Sequence, residues 1–193
     1  MNLPNKLTMG RIILVPLFTA AALIPFPLHY LAALVIFAAA SITDLFDGRI
    51  ARKRGLVTDF GKFADPLADK ILVLAALLCF VQNGLCDCVA VTLVLLREFS
   101  VTSIRLIAAA KGEVVAANIW GKVKTVTQMT AVIVILAVQS ALGFLSLADI
   151  PLPEFANTII FWSGEALIWI STVFAVISGV IYLKQNWKFI ENI

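Results

Sequence analysis

Residues 30–50 read YLAALVIFAAASITDLFDGRI, an apolar run that ends in two aspartates. Residues 63–81 read FADPLADKILVLAALLCFV and have the reverse order, with two aspartates first and the apolar run after them. A helix needs roughly 20 mostly apolar residues to cross a bilayer, and both runs reach that length. They therefore predict two membrane-spanning helices whose carboxylates lie at the ends joined by the intervening segment.

The rest of the chain extends this pattern. The composition is 61% hydrophobic and 14% charged, whereas soluble domains average about 45–50% apolar and about 25% charged residues. Proline, glycine or asparagine residues separate consecutive apolar runs. We predict an all-α, polytopic membrane protein with six transmembrane helices and a single domain over residues 1–193. The four further spans are expected at about 7–24, 89–110, 123–147 and 158–183.

The distribution of positive charge predicts the orientation. The chain has 15 lysines and arginines, and none lies in 25–29, 82–88 or 148–157. Under the positive-inside rule these connections face outward, and both termini are cytoplasmic. The net charge of +3 does not indicate a nucleic-acid partner, because most of the surface is expected to face lipid.

Charge is concentrated between the second and third predicted helices. Eleven of the 27 charged residues lie in residues 44–70. Asp44 and Asp47 are three apart and Asp65 and Asp69 four apart, so each pair shares one helix face. Four carboxylates without nearby His or Cys favour hard cations, Mg²⁺ or Mn²⁺, and can hold two ions that clamp a phosphoryl group. The alternative is a salt-bridged helix pair in which the aspartates are matched by Arg49, Arg52, Lys62 and Lys70.

Small residues beside the aspartates fit a ligand pocket. Gly48 and Ala51 follow the first pair, and Gly61 precedes Asp65 by one helical turn. Glycine lets a ligand approach the backbone closely. Arg52 can neutralise a phosphate.

The whole spacing, D-x2-D-G-x2-A-R-x8-G-x3-D-x3-D from Asp44 to Asp69, resembles the signature of the CDP-alcohol phosphatidyltransferases. The resemblance implies a six-helix enzyme with a cytosolic active site that joins a CDP-linked lipid to an alcohol and releases CMP. It implies that Asp69 is the catalytic base and that the metal ligands are Asp44, Asp47, Asp65 and Asp69. It also implies that Gly48, Ala51, Gly61 and Arg52 contact the CDP group.

A second basic region bears on the alcohol. Arg97 and Arg105 are eight residues apart and share a helix face, and Lys122 and Lys124 follow on the next predicted helix. Such a face suits an acceptor that carries its own phosphate. The alternative is ordinary positive-inside charge at the lipid headgroups.

Short segments outside the signature resemble the bacterial phosphatidylglycerophosphate synthases, a branch of the same family. They are NLPNKLTMGRI, FGKFADPLADK, REFSVTSIR and GKVKT. This likeness implies CDP-diacylglycerol and glycerol 3-phosphate as substrates, a homodimer, and a place in a bacterial cytoplasmic membrane. It assigns the acceptor's phosphate to Arg97, Arg105 and Lys122, with Lys124 assisting, and the nucleotide end to Asn5, Thr8 and Arg11.

The sequence leaves alternatives open for the acceptor and for the class of function. Other acceptors within the family are phosphatidylglycerol, inositol phosphate and serine, and a divalent-cation transporter is the reading from a different class. Cys86 and Cys88 form a CxC pair, which is a weak signal for redox or metal chemistry. Glu165 is expected to be an interfacial carboxylate or a helix-packing or dimer contact.

Overall fold

A computed structural model describes the backbone of residues 3–54, 59–113, 119–187 and 191. Side-chain surroundings are described for residues 8–43, 68, 70–113, 119–153, 155–187 and 191. Within these ranges the regular structure is entirely helical. The helices are α1 Leu3–Leu23, α2 His29–Arg54, α3 Asp59–Gln82, α4 Cys88–Ala110, α5 Ile119–Leu147 and α6 Glu154–Gln185.

Each helix lies where the sequence predicts one, which confirms the all-α class. The ends differ by up to four residues: α2 continues four residues past Ile50, and α1, α3, α5 and α6 each begin four residues before the predicted start. Backbone hydrogen bonding sustains a helix beyond its apolar part, so hydropathy underestimates helix length. Within the described residues, α5 and residues 155–185 of α6 are long and apolar enough to cross a bilayer, consistent with a membrane protein.

The ends of α3 and α4 follow the predicted breaks. Gly84 and Gly112 have φ values of 67° and 76°, a conformation that glycine adopts at little cost after a helix. At the start of α4, the Asp87 side chain accepts a hydrogen bond of 3.0 Å from Val89 N. Such a cap satisfies a backbone donor that the first turn leaves unpaired.

The chain forms two compact units. The first contains Met1–Gly84 and Val132–Ile160, and the second contains Leu85–Ala131 and Phe161–Ile193. In the first unit α1 packs against α2 and α3, with the buried rings of Phe18 and Phe37 5.8 Å apart.

In the second unit α4 packs against α6. Their shared core contains Val101, Ile104, Ala108 and Tyr182. That both units form one domain stays a prediction.

Candidate active site

Asn83 brings three helix ends of the first unit together. Its Nδ2 donates to the Ala22 carbonyl oxygen near the end of α1, at 3.0 Å, and to the Tyr30 hydroxyl at the start of α2, at 3.1 Å. Asn83 itself directly follows α3. The last residues of α1 and α3 and the first of α2 therefore share one level, so α2 runs antiparallel to the other two helices.

Counting from this level locates the predicted site residues along the helices. At about 1.5 Å per residue, Thr8 on α1, Asp44 on α2 and Asp69 on α3 each lie about 21 Å from the three joined ends. By the same count Arg11 lies at about 17 Å, and Asp47 and Asp65 at about 26–27 Å. The first unit therefore holds these residues within about two helical turns of one another along the helix direction.

Three of the aspartate positions lie at helical spacing from buried residues of the same helix. On α2 positions 44 and 47 extend the buried series Ala33, Phe37, Ala40, and on α3 position 65 precedes the buried Ala68 and Leu72 by one and two turns. Residues three, four and seven apart share a helix face. These positions are therefore in helical register with the buried faces formed by Ala33, Phe37 and Ala40 on α2 and by Ala68 and Leu72 on α3. The aspartate side chains themselves lie outside the described residues.

Thr8 and Arg11 are the predicted nucleotide-end residues whose side chains the structure describes. Thr8 is fully buried and Arg11 is 1% exposed. They are three apart on α1, on the face that continues through Val15 and Phe18. A guanidinium is buried at high cost unless acceptors or anions surround it, so this face is built for a charged or strongly polar neighbourhood.

The other predicted nucleotide and metal residues lie on helices, but their side chains are outside the described residues. Asn5 is on α1, Asp44 to Arg52 on α2, and Gly61 to Asp69 on α3. The helical backbone preserves the three- and four-residue spacing on which the metal prediction depends. Carboxylate oxygens are the ligands that a hard divalent ion such as Mg²⁺ or Mn²⁺ prefers, so a metal site at these positions stays a prediction.

The second unit organises its cations around a carboxylate that the sequence analysis did not identify. Glu98 on α4 is 6% exposed, and its Oε1 accepts from Arg97 Nη1 at 2.8 Å and from Lys124 Nζ at 2.5 Å. Two of the four predicted acceptor-binding residues therefore already share a counter-ion. A carboxylate directly after Arg97 in an apolar run was the available signal, because such a charge needs a partner.

Helix α6 also fixes Arg97. Arg97 Nη2 donates to the hydroxyl of the buried Ser178 on this helix at 2.6 Å. A Cβ placed on the neighbouring Gly179 would lie 2.8 Å from Arg97 Cγ, so the arginine side chain passes directly over this glycine. Neither contact could be predicted, since Ser178 and Gly179 look like ordinary small residues of an apolar helix.

Arg105 and Lys122 are the more accessible members of the predicted basic face. Both are exposed. Arg105 Nε donates to the Tyr182 hydroxyl at 3.1 Å, and its guanidinium lies 5.4 Å from the centre of the Tyr182 ring. Tyr182 therefore orients Arg105 by a hydrogen bond and a cation–π contact.

Glu165 is a helix-packing carboxylate. It is 8% exposed, accepts from the Asp87 backbone N–H at 3.2–3.3 Å, and accepts from Trp169 Nε1 at 2.9 Å. Of the three expectations for this residue, the structure supports packing within the chain.

The two cysteines of the CxC pair differ in environment. Burial, followed by the nearby carboxylates of Glu165 and Asp87, raises the pKa of Cys86 to about 12, whereas Cys88 is exposed. A thiol that holds its proton so strongly is a poor nucleophile and a poor metal ligand.

Comparison with known proteins shows which chains this one is similar to. The family model described as CDP-alcohol phosphatidyltransferase matches residues 1–177. A Bacillus subtilis protein named CDP-diacylglycerol--glycerol-3-phosphate 3-phosphatidyltransferase is 41% identical, over 99% of this chain and 98% of its own. A Rickettsia felis protein of the same name is 35% identical over 97% of each chain. A rice protein named cardiolipin synthase (CMP-forming) is 36% identical over 97% of this chain and 58% of its own.

Proposed function

Because the chain belongs to the CDP-alcohol phosphatidyltransferase family, we propose that it transfers the phosphatidyl group of CDP-diacylglycerol to glycerol 3-phosphate. The products are phosphatidylglycerophosphate and CMP. The observation that carries this proposal is the similarity, over nearly the full length of both chains, to relatives named for this reaction. The common level of Thr8, Asp44 and Asp69 in the first unit supports it.

The reaction is a displacement at phosphorus. A hydroxyl oxygen of the acceptor attacks the phosphorus nearer the diacylglycerol, and the bond from that phosphorus to the oxygen of CMP breaks. Asp69 takes the proton of the attacking hydroxyl. Two divalent ions, Mg²⁺ or Mn²⁺, bound by Asp44, Asp47, Asp65 and Asp69 would supply charge neutralisation for the diphosphate and the departing CMP.

Residues of the first unit bind the nucleotide end in this proposal. Buried Arg11 and Thr8 support the assignment, because a guanidinium and a hydroxyl on one face suit a diphosphate or a ribose. The remaining assigned residues are Asn5, Gly48, Ala51, Arg52 and Gly61.

Residues of the second unit bind the acceptor's phosphate. Arg105 and Lys122 are exposed and supply direct charge. Arg97 presents a guanidinium whose two terminal nitrogens are already fixed. Lys124, 7% exposed and bonded to Glu98, is assigned an assisting role.

We also propose that all six helices cross the cytoplasmic membrane of a bacterium, in one domain over residues 1–193, with both termini and the active site on the cytoplasmic side. The absence of lysine and arginine from three alternate connections supports this orientation. A homodimer is proposed from the family resemblance, and light scattering of the purified protein would test it.

A second acceptor has specific support. The rice relative is named as a cardiolipin synthase, which makes phosphatidylglycerol the first alternative to glycerol 3-phosphate. The two acceptors differ in kind, because glycerol 3-phosphate has a terminal phosphate of up to two negative charges, whereas phosphatidylglycerol has a singly charged diester.

The test is CMP release by the purified full chain in detergent, with CDP-diacylglycerol, Mg²⁺ and one acceptor at a time. We expect release with glycerol 3-phosphate and none with phosphatidylglycerol, inositol phosphate or serine. Release with phosphatidylglycerol alone would replace the proposed acceptor and retain the family chemistry. If the folded protein released no CMP with any of these four acceptors, the proposed reaction would be contradicted.

A further inference from the structure

Glu98 is the centre of a buried charge cluster, defined here as Arg97, Glu98 and Lys124. The carboxylate is 6% exposed and belongs to α4, while Lys124 belongs to α5. Both cations contact the same oxygen, Oε1, at 2.8 and 2.5 Å. Two cations and one anion leave the cluster with one net positive charge.

The cluster also fixes the orientation of Arg97. One terminal nitrogen bonds to Glu98 on its own helix, and the other bonds to Ser178 on α6. A guanidinium has five N–H donors in a rigid plane, so these two contacts define the plane and leave further donors on both terminal nitrogens. A planar fork with its orientation fixed in advance is what recognition of a phosphate requires.

The second unit provides an internal comparison for this carboxylate. Glu165 is buried to a similar degree, 8% against 6%, but it accepts hydrogen bonds from the neutral N–H groups of Asp87 and Trp169. A carboxylate that served only to join helices could use neutral donors in this way. Glu98 instead binds two residues of the predicted acceptor face.

From these contacts we propose that Glu98 is a positioning residue for the acceptor's phosphate. It holds the Arg97 guanidinium and the Lys124 ammonium so that together they present one positive charge in a fixed geometry. This inference rests on the proposed function, because it takes Arg97 and Lys124 to face the phosphate of the acceptor.

The experiment measures the KM for glycerol 3-phosphate and for CDP-diacylglycerol in wild type, Glu98→Gln and Glu165→Gln. Glutamine keeps the shape of the side chain and removes its charge. We expect Glu98→Gln to raise the KM for glycerol 3-phosphate roughly tenfold, with the KM for CDP-diacylglycerol changed by less than about twofold. Glu165→Gln is the matched control, and we expect both KM values to stay within about twofold of wild type.

The direction of the change separates positioning from simple charge compensation. Removing an anion beside two cations raises the local positive potential, so a mere counter-ion would give an unchanged or lower KM for glycerol 3-phosphate in Glu98→Gln. That result would overturn the proposal. An equal rise in Glu165→Gln would overturn it too, because the effect would then reflect general loosening of the second unit.

A second comparison keeps the proposal testable if Glu98→Gln does not accumulate. Lys124→Met leaves Glu98 and Arg97 as a neutral pair, and the double variant Glu98→Gln/Lys124→Met has one net positive charge again. Positioning predicts that the KM for glycerol 3-phosphate in the double variant equals or exceeds that of Lys124→Met. A lower KM in the double variant would show that only the net charge matters and would contradict the proposal.

The wild-type measurement distinguishes failure of this inference from failure of the proposed function. A wild type that releases CMP with glycerol 3-phosphate, beside a Glu98→Gln variant of unchanged KM, removes the role of Glu98 alone. A wild type that does not use glycerol 3-phosphate removes both proposals.

Discussion

The first unit places four aspartate positions within a short length of two helices, α2 and α3, whereas the second unit holds two cations on a single carboxylate. The first set has the composition of a site whose neutralising charge comes with the ligand or with metal ions. The second set carries its own counter-ion, Glu98. Charge of one sign along a sequence does not reveal how much of it is available to a substrate, because a buried partner can compensate part of it.

The largest effect is expected from the aspartates. Asp69→Asn keeps the size of the side chain but removes the proposed base and one metal-binding charge, so kcat should fall by at least about 10³-fold. CMP release with glycerol 3-phosphate measures it. Asp149→Asn is the control, since Asp149 is exposed and has a φ of 53°, a conformation that asparagine tolerates. Comparable activity of the two variants would contradict the role of Asp69.

The next effect concerns the approach of α6 to Arg97. Gly179→Ala introduces a Cβ 2.8 Å from Arg97 Cγ, and we expect a loss of about 2–3 kcal/mol in stability together with a higher KM for glycerol 3-phosphate. Thermal unfolding in detergent and steady-state kinetics measure the two changes. Gly143→Ala is the matched control, because its Cβ would lie 3.3 Å from the end of the Leu28 side chain. If the two alanine variants behave alike, Gly179 does not constrain Arg97.

A smaller effect is expected where the three helix ends of the first unit meet. Asn83→Ala removes the hydrogen bonds to Ala22 and Tyr30, and at about 1 kcal/mol for each bond the stability should fall by about 2 kcal/mol. Thermal unfolding measures it, with exposed Asn157→Ala as the control. An unchanged melting temperature for Asn83→Ala would show that packing alone sets the common level.

The smallest effect on the enzyme is expected from thiol modification, which also tests the orientation. Exposed Cys88 should react with a membrane-impermeant maleimide on intact cells, with activity retained. Cys86 has a pKa of about 12, so only about one thiol in 10⁴ is ionised at pH 8 and its reaction should be far slower. Labelling of Cys88 only after the cells are opened would contradict the predicted orientation.

The raised pKa of Cys86 has a consequence for stability with a definite sign. Below pH 9.0, its unperturbed pKa, the thiol is neutral in both the folded and the unfolded chain. Between pH 9.0 and about 12 the unfolded chain releases the proton while the folded chain retains it, so stability declines as pH rises. Cys86→Ala should reduce this alkaline decline, and unfolding measured across that range tests it.

The sequence predicts the helices well because apolar length and breaking residues act locally. The aspartate pairs are also local, since a spacing of three or four sets their common face within any helix. The Glu98–Lys124 contact was not predictable in this way, because it joins residues 26 apart on two helices. Helix spacing says which residues share a face, but the rotation that turns Ser178 and Tyr182 toward α4 depends on how whole helices pack.

The hydrogen bonds of Asn83 hold three helix ends of the first unit at one level, so the number of residues between that level and the aspartates sets the position of the aspartates. One alanine inserted in α2 between Ala40 and Asp44 would turn every later position by about 100° and move it by about 1.5 Å along the axis. The aspartate pair would then leave the face of Phe37 and Ala40, even though no site residue had been replaced. The same alanine inserted among residues 24–28, in the connection that precedes α2, should leave the aspartates on the face of Phe37 and Ala40.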